Sequence, residues 1–544
     1  MNAVIPHADP APPAAGGVLV ASGRWQVVAG DPALEQVADT LRALLAPHLS
    51  DRLVPAGTRH TGVPTLTLAL DDLPRAAPRT TLGVDPAGGA HPADEAYRLR
   101  VTADGITCLA RTAEGAFRAG TTAAQLIATA HGTGELPFQE VADAPRYAWR
   151  GLMVDPARTF LTPDELRRII DLAALYKLNV LHLHLTDNEG WRIELPGTPR
   201  LTEPGADGRA RDFYTVADYR SLQEYAARRF VTVVPEIDLP GHCRTLREAV
   251  PGLREAPAPA GLKERFPFVP PLDLTDEATH AAVTRILAEV CELTTGPHVH
   301  IGADEAFGAT PESFAASVRE LRAIVRAFGK RPVGWQESSR AGIEPRDIAQ
   351  HWVDVPMMDL PDTSEELAGR PELATAGMTP EIVGALKSFF APTDQDVERV
   401  VEAGGRILLS PQSHLYLDRP YAAESVPPEQ AGTAGRLGFT AYRPRSIRHT
   451  ASWDPSAYPV PDASVAGVEA TVFAERFKGF EDVTVLLLPR LASVAEAAWC
   501  GRAPQWTEYR ERLARHGRLW TQRGLAYLPG TEVPWEGDDR QDRG

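Results

Sequence analysis

Apolar residues recur along the last two-thirds of the chain in short, β-branched runs separated by helical stretches. Runs of strand length lie at residues 152–155, 180–186, 231–237, 298–302, 332–335, 348–353, 406–410 and 465–473. After the first run, Thr162, Pro163 and Glu165 form the pattern of a capping box that begins a helix. Thr215 precedes a second helical segment, "VADYRSLQEYAARRF". Eight alternating strand and helix units predict an α/β fold, a (β/α)8 TIM barrel with long loops.

A doubly wound parallel sheet would give the same alternation of strands and helices. That fold commonly carries a glycine-rich phosphate-binding turn after its first strand. Neither Gly-x-Gly-x-x-Gly nor a P-loop follows residues 152–155, which favours the barrel.

The first part of the chain has a different pattern. Strand-like segments at 65–70, 96–102 and 105–111 accompany helical stretches near 33–47 and 116–130, which indicates a small α+β domain. The first residues are rich in Pro and Ala. We therefore predict a disordered tail at 1–16, the α+β domain at 17–145, the catalytic barrel at 146–528 and a C-terminal tail at 529–544.

Composition excludes several classes of partner. The 544 residues are 43% hydrophobic and 24% charged, as in soluble globular proteins. A formal charge of −16 disfavours binding to nucleic acid, whose phosphates need basic surface. No apolar stretch approaches the roughly 20 residues that span a bilayer, so we expect no membrane association. The amino terminus lacks a basic start followed by an apolar core, so we expect a cytoplasmic protein. The oligomeric state stays open.

The predicted strand ends carry acids, aromatic residues and one arginine. Active sites of TIM barrels are built at this edge. The residues at the strand ends are Arg158, Asp187, Glu236, Asp238, His242, Asp304, Glu305, Trp335, Glu337, Trp352, Asp354, Tyr416, Asp418 and Glu475. Carboxylates accept hydrogen bonds from sugar hydroxyls, and aromatic rings pack on the apolar face of a sugar. The set favours glycoside hydrolysis without a cofactor.

Asp304 and Glu305 are neighbours in the segment "HIGADEA". A usual retaining glycosidase places its two carboxyls about 5–5.5 Å apart on opposite sides of the scissile bond. Neighbours on one strand end cannot easily straddle a sugar in this way. One of the pair should therefore be the acid/base, and the other should assist a group close to it. Glycosidases whose nucleophile is the 2-acetamido group of the substrate need this division.

Seven segments in order resemble one family. They are "WRGLMVDPARTF", "YKLNVLHLHLTDNEGWRIEL", "VVPEIDLPGH", "HVHIGADEA", "VGWQE", "SHLYLD" and "GVEATVFAE". Together they resemble the β-N-acetylhexosaminidases of glycoside hydrolase family 20, and the resemblance runs from about residue 18 to 525. It implies an exo-acting, retaining hydrolase that releases terminal β-linked N-acetylhexosamine from oligosaccharides or glycoconjugates through an oxazolinium intermediate.

The resemblance also implies roles for individual residues. Glu305 would be the general acid/base, Asp304 would hold and polarise the acetamido group, and Tyr416 would donate its hydroxyl to the acetamido oxygen. The implied substrate-binding residues are Arg158, Asp418 and Glu475 on ring hydroxyls, Trp335 and Trp352 on the acetamide, Trp453 on the next sugar, and Asp187 and His242 behind Glu305. Two positions depart from the family pattern: Ala303 replaces a usual Gly, and Phe473 replaces a pocket Trp, whose N–H donor is lost.

Three alternatives remain open at this point. A specialised relative could release disaccharides or act on sulfated sugars. His182 with His184, and His298 with His300, have the His-x-His spacing of barrel metallohydrolases, although we predict no metal. A relative that binds carbohydrate without cleaving it would keep the same pocket residues.

Overall fold

A computed structural model describes residues 3–11, 16–20, 23–57, 60–73, 95–130, 134–204, 210–258, 268–345, 347–354, 360–371, 373 and 378–536. The segment before residue 144 contains eight strands among the described residues: β1 Pro10–Ala11, β2 Val18–Val20, β3 Gln26–Ala29, β4 Thr65–Leu70, β5 Tyr97–Thr102, β6 Gly105–Ala110, β7 Glu135–Pro137 and β8 Gln139–Asp143. Six of them form a sheet with the order β1-β8-β5-β6-β4-β3, and β2 pairs with β7. Helices Glu35–Leu49 and Ala113–Thr129 pack against this sheet and against each other. The predicted α+β domain is confirmed.

The rest of the chain forms a closed barrel of eight parallel strands. They are β9 Trp149–Val154, β10 Val180–His184, β11 Thr232–Glu236, β12 His298–His300, β13 Arg331–Trp335, β14 Ile348–His351, β15 Arg406–Leu409 and β16 Val465–Val472. Each follows a predicted run closely. The barrel closes where β16 pairs with β9, with Val472 opposite Val154. Closure confirms the predicted TIM barrel and excludes the open doubly wound sheet.

Helices alternate with these strands. Their bounds are Pro163–Leu175, Val216–Ala227, Arg244–Ala249, Glu277–Leu293, Pro311–Ala327, Ser364–Ala368, Pro380–Phe390, Asp396–Glu402, Gln412–Leu415, Ala431–Arg436, Ile447–Ala451, Phe480–Leu487, Arg490–Cys500, Trp506–Leu513 and His516–Gln522. The capping box predicted at Thr162 and Glu165 is present, and Thr215 forms a second one with Asp218. In the part of the chain described, no single helix has the length and apolar character to cross a membrane; the bent pair Phe480–Leu487 and Arg490–Cys500 meets that test only when joined.

Both predicted tails are corrected where the structure describes them. Val4 and Ile5 are fully buried, and the backbone N–H of Ile5 donates to Gln125 at 2.8 Å. Pro10–Ala11 adds a strand to the edge of the sheet. At the other end Val533 and Trp535 are buried. Prolines and alanines suggested disorder, but these few apolar side chains have a core to enter. Residues 12–15 and 537–544 lie outside the described residues.

The barrel interior changes from apolar to polar along the strands. Residues two apart on a strand face the same side. An apolar layer contains Trp149, Val180, Val234, Val333, Ile348, Leu408 and Ala466. The residues two positions later, at or just past the ends of five of these strands, are all buried; they are His182, Glu236, Trp335, Gln350 and Ser410. The polar positions therefore accumulate towards the carboxyl ends of the strands, where the predicted site lies.

Candidate active site

The turn after β12 has an unusual backbone that separates the two adjacent acids. Gly302, Ala303 and Glu305 have φ of +69°, +72° and +40°. Non-glycine residues rarely adopt this left-handed region, and such strain concentrates at functional sites. Ala303 thus adopts the conformation that a glycine would favour, although its methyl group is buried. The turn sends Asp304 and Glu305 towards different partners.

Gly302 is required by a close approach as well as by its φ. A Cβ at this position would lie 1.7 Å from Oδ1 of Asp238. We expect Gly302→Ala to lower the free energy of unfolding by about 3 kcal/mol, because it adds a steric clash to the cost of left-handed backbone. Gly329→Ala is the matched control: φ there is +76°, and nothing lies within 4 Å of the added Cβ.

Urea unfolding of both variants measures the difference. The control should lose only about 1 kcal/mol, the cost of the backbone conformation alone. Equal losses at the two positions would mean that Asp238 moves aside freely and that the contact with Gly302 does not fix the turn.

Asp304 faces other acids and the aromatic part of the site. Burial raises the pKa of Asp304 well above its usual range, and Asp238 and Glu305 raise it further, while the charge of His242 opposes the rise. Burial raises the pKa of Tyr416, and the charges of Tyr442 and Asp304 add to that rise. The buried Oδ1 of Asp304 has no hydrogen-bond partner among the described residues. An acceptor of this kind is costly to leave unpaired and suits an N–H supplied by a ligand.

Glu305 lies beside His242 and keeps some access to solvent. Nε2 of His242 lies 3.7 Å from Oε2 of Glu305, whose side chain is 30% exposed. Burial raises the pKa of Glu305, while the charges of His242 and Arg158 oppose that rise. A carboxyl with a raised pKa that keeps access to solvent can both give and take a proton near neutral pH.

Asp187 joins the arginine and the histidine behind Glu305. Nη2 of Arg158 lies 2.8 Å from Oδ2 of Asp187, and Nδ1 of His242 lies 3.2 Å from its Oδ1. Burial raises the pKa of Asp187, but the charges of His242 and Arg158 outweigh it and hold the pKa well below its usual value. Asp155 also accepts from Arg158 at 2.8 Å. Sequence reasoning missed Asp155, although its i,i+3 spacing to Arg158 at a strand end could have indicated it.

The ion pair between His242 and Asp187 makes the free energy of unfolding depend on pH. Burial lowers the pKa of His242, but Asp187 raises it, and the net result is a pKa of about 10. A histidine whose pKa is higher in the folded than in the unfolded state stabilises fully below the unfolded value of about 6.5. We therefore expect the parent to lose its stability advantage over His242→Gln as pH rises from 6.5 through 10. Urea unfolding of the two proteins across this range checks it, and a constant difference would contradict a charged His242.

Four aromatic rings surround the space next to Asp304. Trp335, Trp352, Tyr416 and Phe473 contact one another in turn, with ring centroids 6.4, 6.1, 5.4 and 6.3 Å apart. The indole N–H of Trp335 donates to Glu236 at 2.8 Å, and that of Trp352 donates to Glu337 at 3.0 Å. The protein therefore uses both N–H groups, which fixes the rings as apolar walls. The guanidinium of Arg158 lies 5.6 Å from the Phe473 ring.

Asp418 and Glu475 lie at another side of this space. Neither buried carboxylate oxygen of Asp418 accepts a side-chain hydrogen bond within the described residues. Burial, together with the charge of Glu475, raises the pKa of Asp418 to about 8. Burial lowers the pKa of Arg158, but the charges of Asp155, Asp187 and Glu475 outweigh it and raise that pKa. The charge of Glu475 therefore acts on both of the other residues predicted to hold ring hydroxyls.

Trp453, predicted to contact the next sugar, is buried and belongs to the main hydrophobic core, and its role stays a prediction. The segment that contains it packs onto the barrel, where Tyr458 contacts His351. The ring of Tyr442, which sequence reasoning missed, lies 6.3 Å from that of Tyr416. Tyr442 stands in a loop without periodicity, and we see no signal in the sequence that could have indicated it.

Three groups of buried side chains in the described part could hold a metal ion by geometry. They are His182, Glu236 and His300; His184, Glu236 and Asp238; and Asp187, Asp238 and His242. Several of these nitrogens already contact carboxylates, as between His184 and Glu236 at 2.5 Å. Imidazoles that bridge acids account for these groups without an ion, and the prediction of no metal awaits a direct measurement.

Sequence comparison decides the family. The model of the glycosyl hydrolase family 20 catalytic domain matches residues 147–502, and that of family 20 domain 2 matches residues 2–144. The chain belongs to glycoside hydrolase family 20. This family 20 enzyme is 35% identical over 525 residues to the β-N-acetylhexosaminidase of Cellulomonas fimi. The alignment covers 93% of this chain and 92% of that relative.

Solved structures agree with this assignment. A mutant β-hexosaminidase of Streptomyces plicatus in complex with the product GlcNAc superposes with a TM-score of 0.75 at 28% identity, covering 98% of each chain. The family 20 β-N-acetylhexosaminidase of Streptomyces coelicolor gives a TM-score of 0.74 at 29% identity, over 98% of this chain and 99% of that one. The protein is a glycoside hydrolase that shares the family's two-domain architecture.

Proposed function

We propose that this family 20 enzyme removes terminal β-linked N-acetylhexosamine from oligosaccharides or glycoconjugates by exo-acting, retaining, substrate-assisted hydrolysis. The observation that carries the proposal is the separation of the two adjacent acids. The buried Oδ1 of Asp304 has no hydrogen-bond partner among the described residues, whereas Oε2 of the partly exposed Glu305 lies 3.7 Å from Nε2 of His242. One acid is thus available for the acetamide and the other for the leaving oxygen.

In the first step the acetamido oxygen attacks the anomeric carbon while Glu305 protonates the departing glycosidic oxygen. The C1–O bond to the leaving group breaks, and a bicyclic oxazolinium ion forms. The carboxylate of Asp304 accepts a hydrogen bond from the amide N–H, and its negative charge stabilises the positive charge that develops on the amide. The interaction is stronger in the transition state than with bound substrate, so it accelerates the reaction. The Tyr416 hydroxyl would donate to the acetamido oxygen.

In the second step Glu305, now a carboxylate, takes a proton from water as that water attacks C1. The C1–O bond of the oxazolinium opens, the acetamide is restored, and the product keeps the original configuration after two inversions. Exo action would result if Arg158, Asp418 and Glu475 hold the hydroxyls of the terminal sugar.

A side-by-side assay of three aryl β-glycosides tests this function. We expect hydrolysis of the N-acetylglucosaminide and the N-acetylgalactosaminide, and almost none of the glucoside, which has no acetamido group. Hydrolysis of all three at similar rates would contradict substrate assistance. Binding of chitobiose without release of product from any of them would indicate a carbohydrate-binding relative.

The buried His and acid groups make a metallohydrolase the competing candidate. That enzyme would contain stoichiometric metal by elemental analysis and lose activity with a chelator. We expect full activity after chelation, because the proposed reaction uses only carboxyl, hydroxyl and amide groups.

A further inference from the structure

A chain of buried acids and imidazoles leads from the barrel interior to the general acid. Nδ1 of His184 lies 2.5 Å from Oε2 of Glu236, and Nε2 of His184 lies 2.9 Å from Oδ2 of Asp187. Asp187 contacts His242, which in turn lies 3.7 Å from Glu305. Both nitrogens of His184 face carboxylates, and acids raise its pKa well above the usual value despite its burial. The links from Glu236 through His184 and Asp187 to His242 are charge-assisted hydrogen bonds, and the last contact, between His242 and Glu305, is a longer ion pair.

Glu236 is the point at which this chain meets the acetamide pocket. It is fully buried. One carboxylate oxygen, Oε1, accepts from Nε1 of Trp335 at 2.8 Å, while the other, Oε2, contacts His184. Nε2 of His182 also lies 3.2 Å from Oε2. Burial raises the pKa of Glu236, but the neighbouring imidazoles, His184 foremost, outweigh it and hold the pKa well below its usual range.

We propose that Glu236 is a positioning residue for the hydrolysis. A single carboxylate fixes Trp335 in the acetamide pocket and, through His184, Asp187 and His242, aligns Glu305 with the leaving oxygen. It thereby couples the site of the nucleophile to the site of the proton donor. This inference rests on the proposed function and assigns Glu236 no contact with substrate.

Glutamine cannot replace this carboxylate. An amide offers one acceptor oxygen, and its NH2 group would face an N–H donor on the other side. Glu236→Gln therefore leaves either Trp335 or His184 without a partner in a buried site, where a lost partner is costly. Loss of the His184 link should misalign the general acid, and loss of the Trp335 link should loosen the acetamide pocket.

Glu469 supplies a matched control. It is also fully buried in the barrel and accepts three N–H groups, from Trp149 and His182 at 2.8 Å and from Gln350 at 3.0 Å. Its partners are neither Trp335 nor His184. Glu469→Gln therefore disturbs the barrel interior, including His182, which contacts both acids, without removing the acceptor of Trp335 or of His184.

The experiment compares kcat/KM of the full-length parent, Glu236→Gln and Glu469→Gln on β-N-acetylglucosaminides whose leaving groups range from dinitrophenol to methanol. A misaligned acid penalises poor leaving groups most, since they need protonation. We expect Glu236→Gln to increase the difference in rate between the best and the poorest leaving group by about tenfold, a fraction of the full general-acid effect. Glu469→Gln should keep the parent's dependence.

A purely structural role would lower the rates on all leaving groups equally, by reducing the folded fraction. The same dependence in all three proteins would overturn the inference. An inactive parent would instead refute the proposed function. His184→Gln provides a second variant that leaves the Trp335 bond intact. His184→Gln should increase leaving-group dependence and leave the affinity for a thiazoline analogue of the intermediate unchanged. The inference fails if leaving-group dependence stays as in the parent, whether or not the affinity for the analogue falls.

Discussion

Replacing Glu305 by glutamine is expected to slow the hydrolysis of substrates with poor leaving groups by about 10²–10⁴-fold, the usual contribution of general-acid assistance. The amide keeps the shape of the side chain but has no acidic proton. In the structure burial raises the pKa of this carboxyl, as suits a proton donor, although the charges of His242 and Arg158 oppose the rise. An activated aryl leaving group departs without protonation, and its glycosylation step should slow far less.

A leaving-group series measured by steady-state and burst kinetics separates the two steps. Glu312→Gln is a suitable control, since Glu312 is an exposed residue in the first turn of the helix that follows the same loop. It should behave as the parent does. An equal loss of rate across the whole series in Glu305→Gln would argue against a role as general acid.

Replacing Asp304 by alanine should reduce turnover by about 10²–10³-fold, the scale of losing one preorganised electrostatic partner. The unpaired Oδ1 of Asp304 is the acceptor that the amide N–H of the substrate would meet. Without it the amide carbonyl is a weaker nucleophile, and the oxazolinium loses its counter-charge. A thiazoline analogue of the bicyclic intermediate should bind the parent tightly and Asp304→Ala poorly.

Calorimetry with the thiazoline and turnover with an aryl substrate give the two readouts for this variant. Both should fall together, because one interaction underlies both. Loss of turnover with unchanged thiazoline affinity would place Asp304 outside the acetamide site. Asp304→Ala could also lower the melting temperature. Because binding is measured on folded protein, reduced stability would not explain a loss of affinity for the analogue.

The sequence predicted the barrel well because its strands are buried on both faces and read as continuous apolar runs. β12 was predicted at 298–302 but ends at His300, since the backbone enters the left-handed turn at Gly302. Short-range patterns also predicted the capping box at Thr162 and the helix start at Thr215, where the structure shows a second capping box. Disorder at residues 1–16 was inferred from composition, which cannot show that Val4 and Ile5 reach a distant core.

The site was predictable to the extent that its residues stand at strand ends. Asp304, Glu305 and Tyr416 were predicted from their positions together with the family resemblance, and the structure brings them to one place. The contacts of Glu236 with His184 and Trp335 join residues 52 and 99 positions apart, and no local pattern specifies them. Tyr442 lies in an irregular segment whose path depends on tertiary packing, so its contact with Tyr416 could not be foreseen.

The central claim is that the acetamido oxygen of the substrate, and no side chain of the protein, is the nucleophile. The most direct measurement is kcat/KM for one aryl glycoside whose N-acyl group is acetyl, fluoroacetyl, difluoroacetyl or trifluoroacetyl. Each fluorine withdraws electrons from the carbonyl oxygen and adds little volume. We predict that the rate falls steadily with every added fluorine, because the nucleophile weakens. A rate that stays constant across the four substrates would contradict the account and point to a nucleophile on the protein.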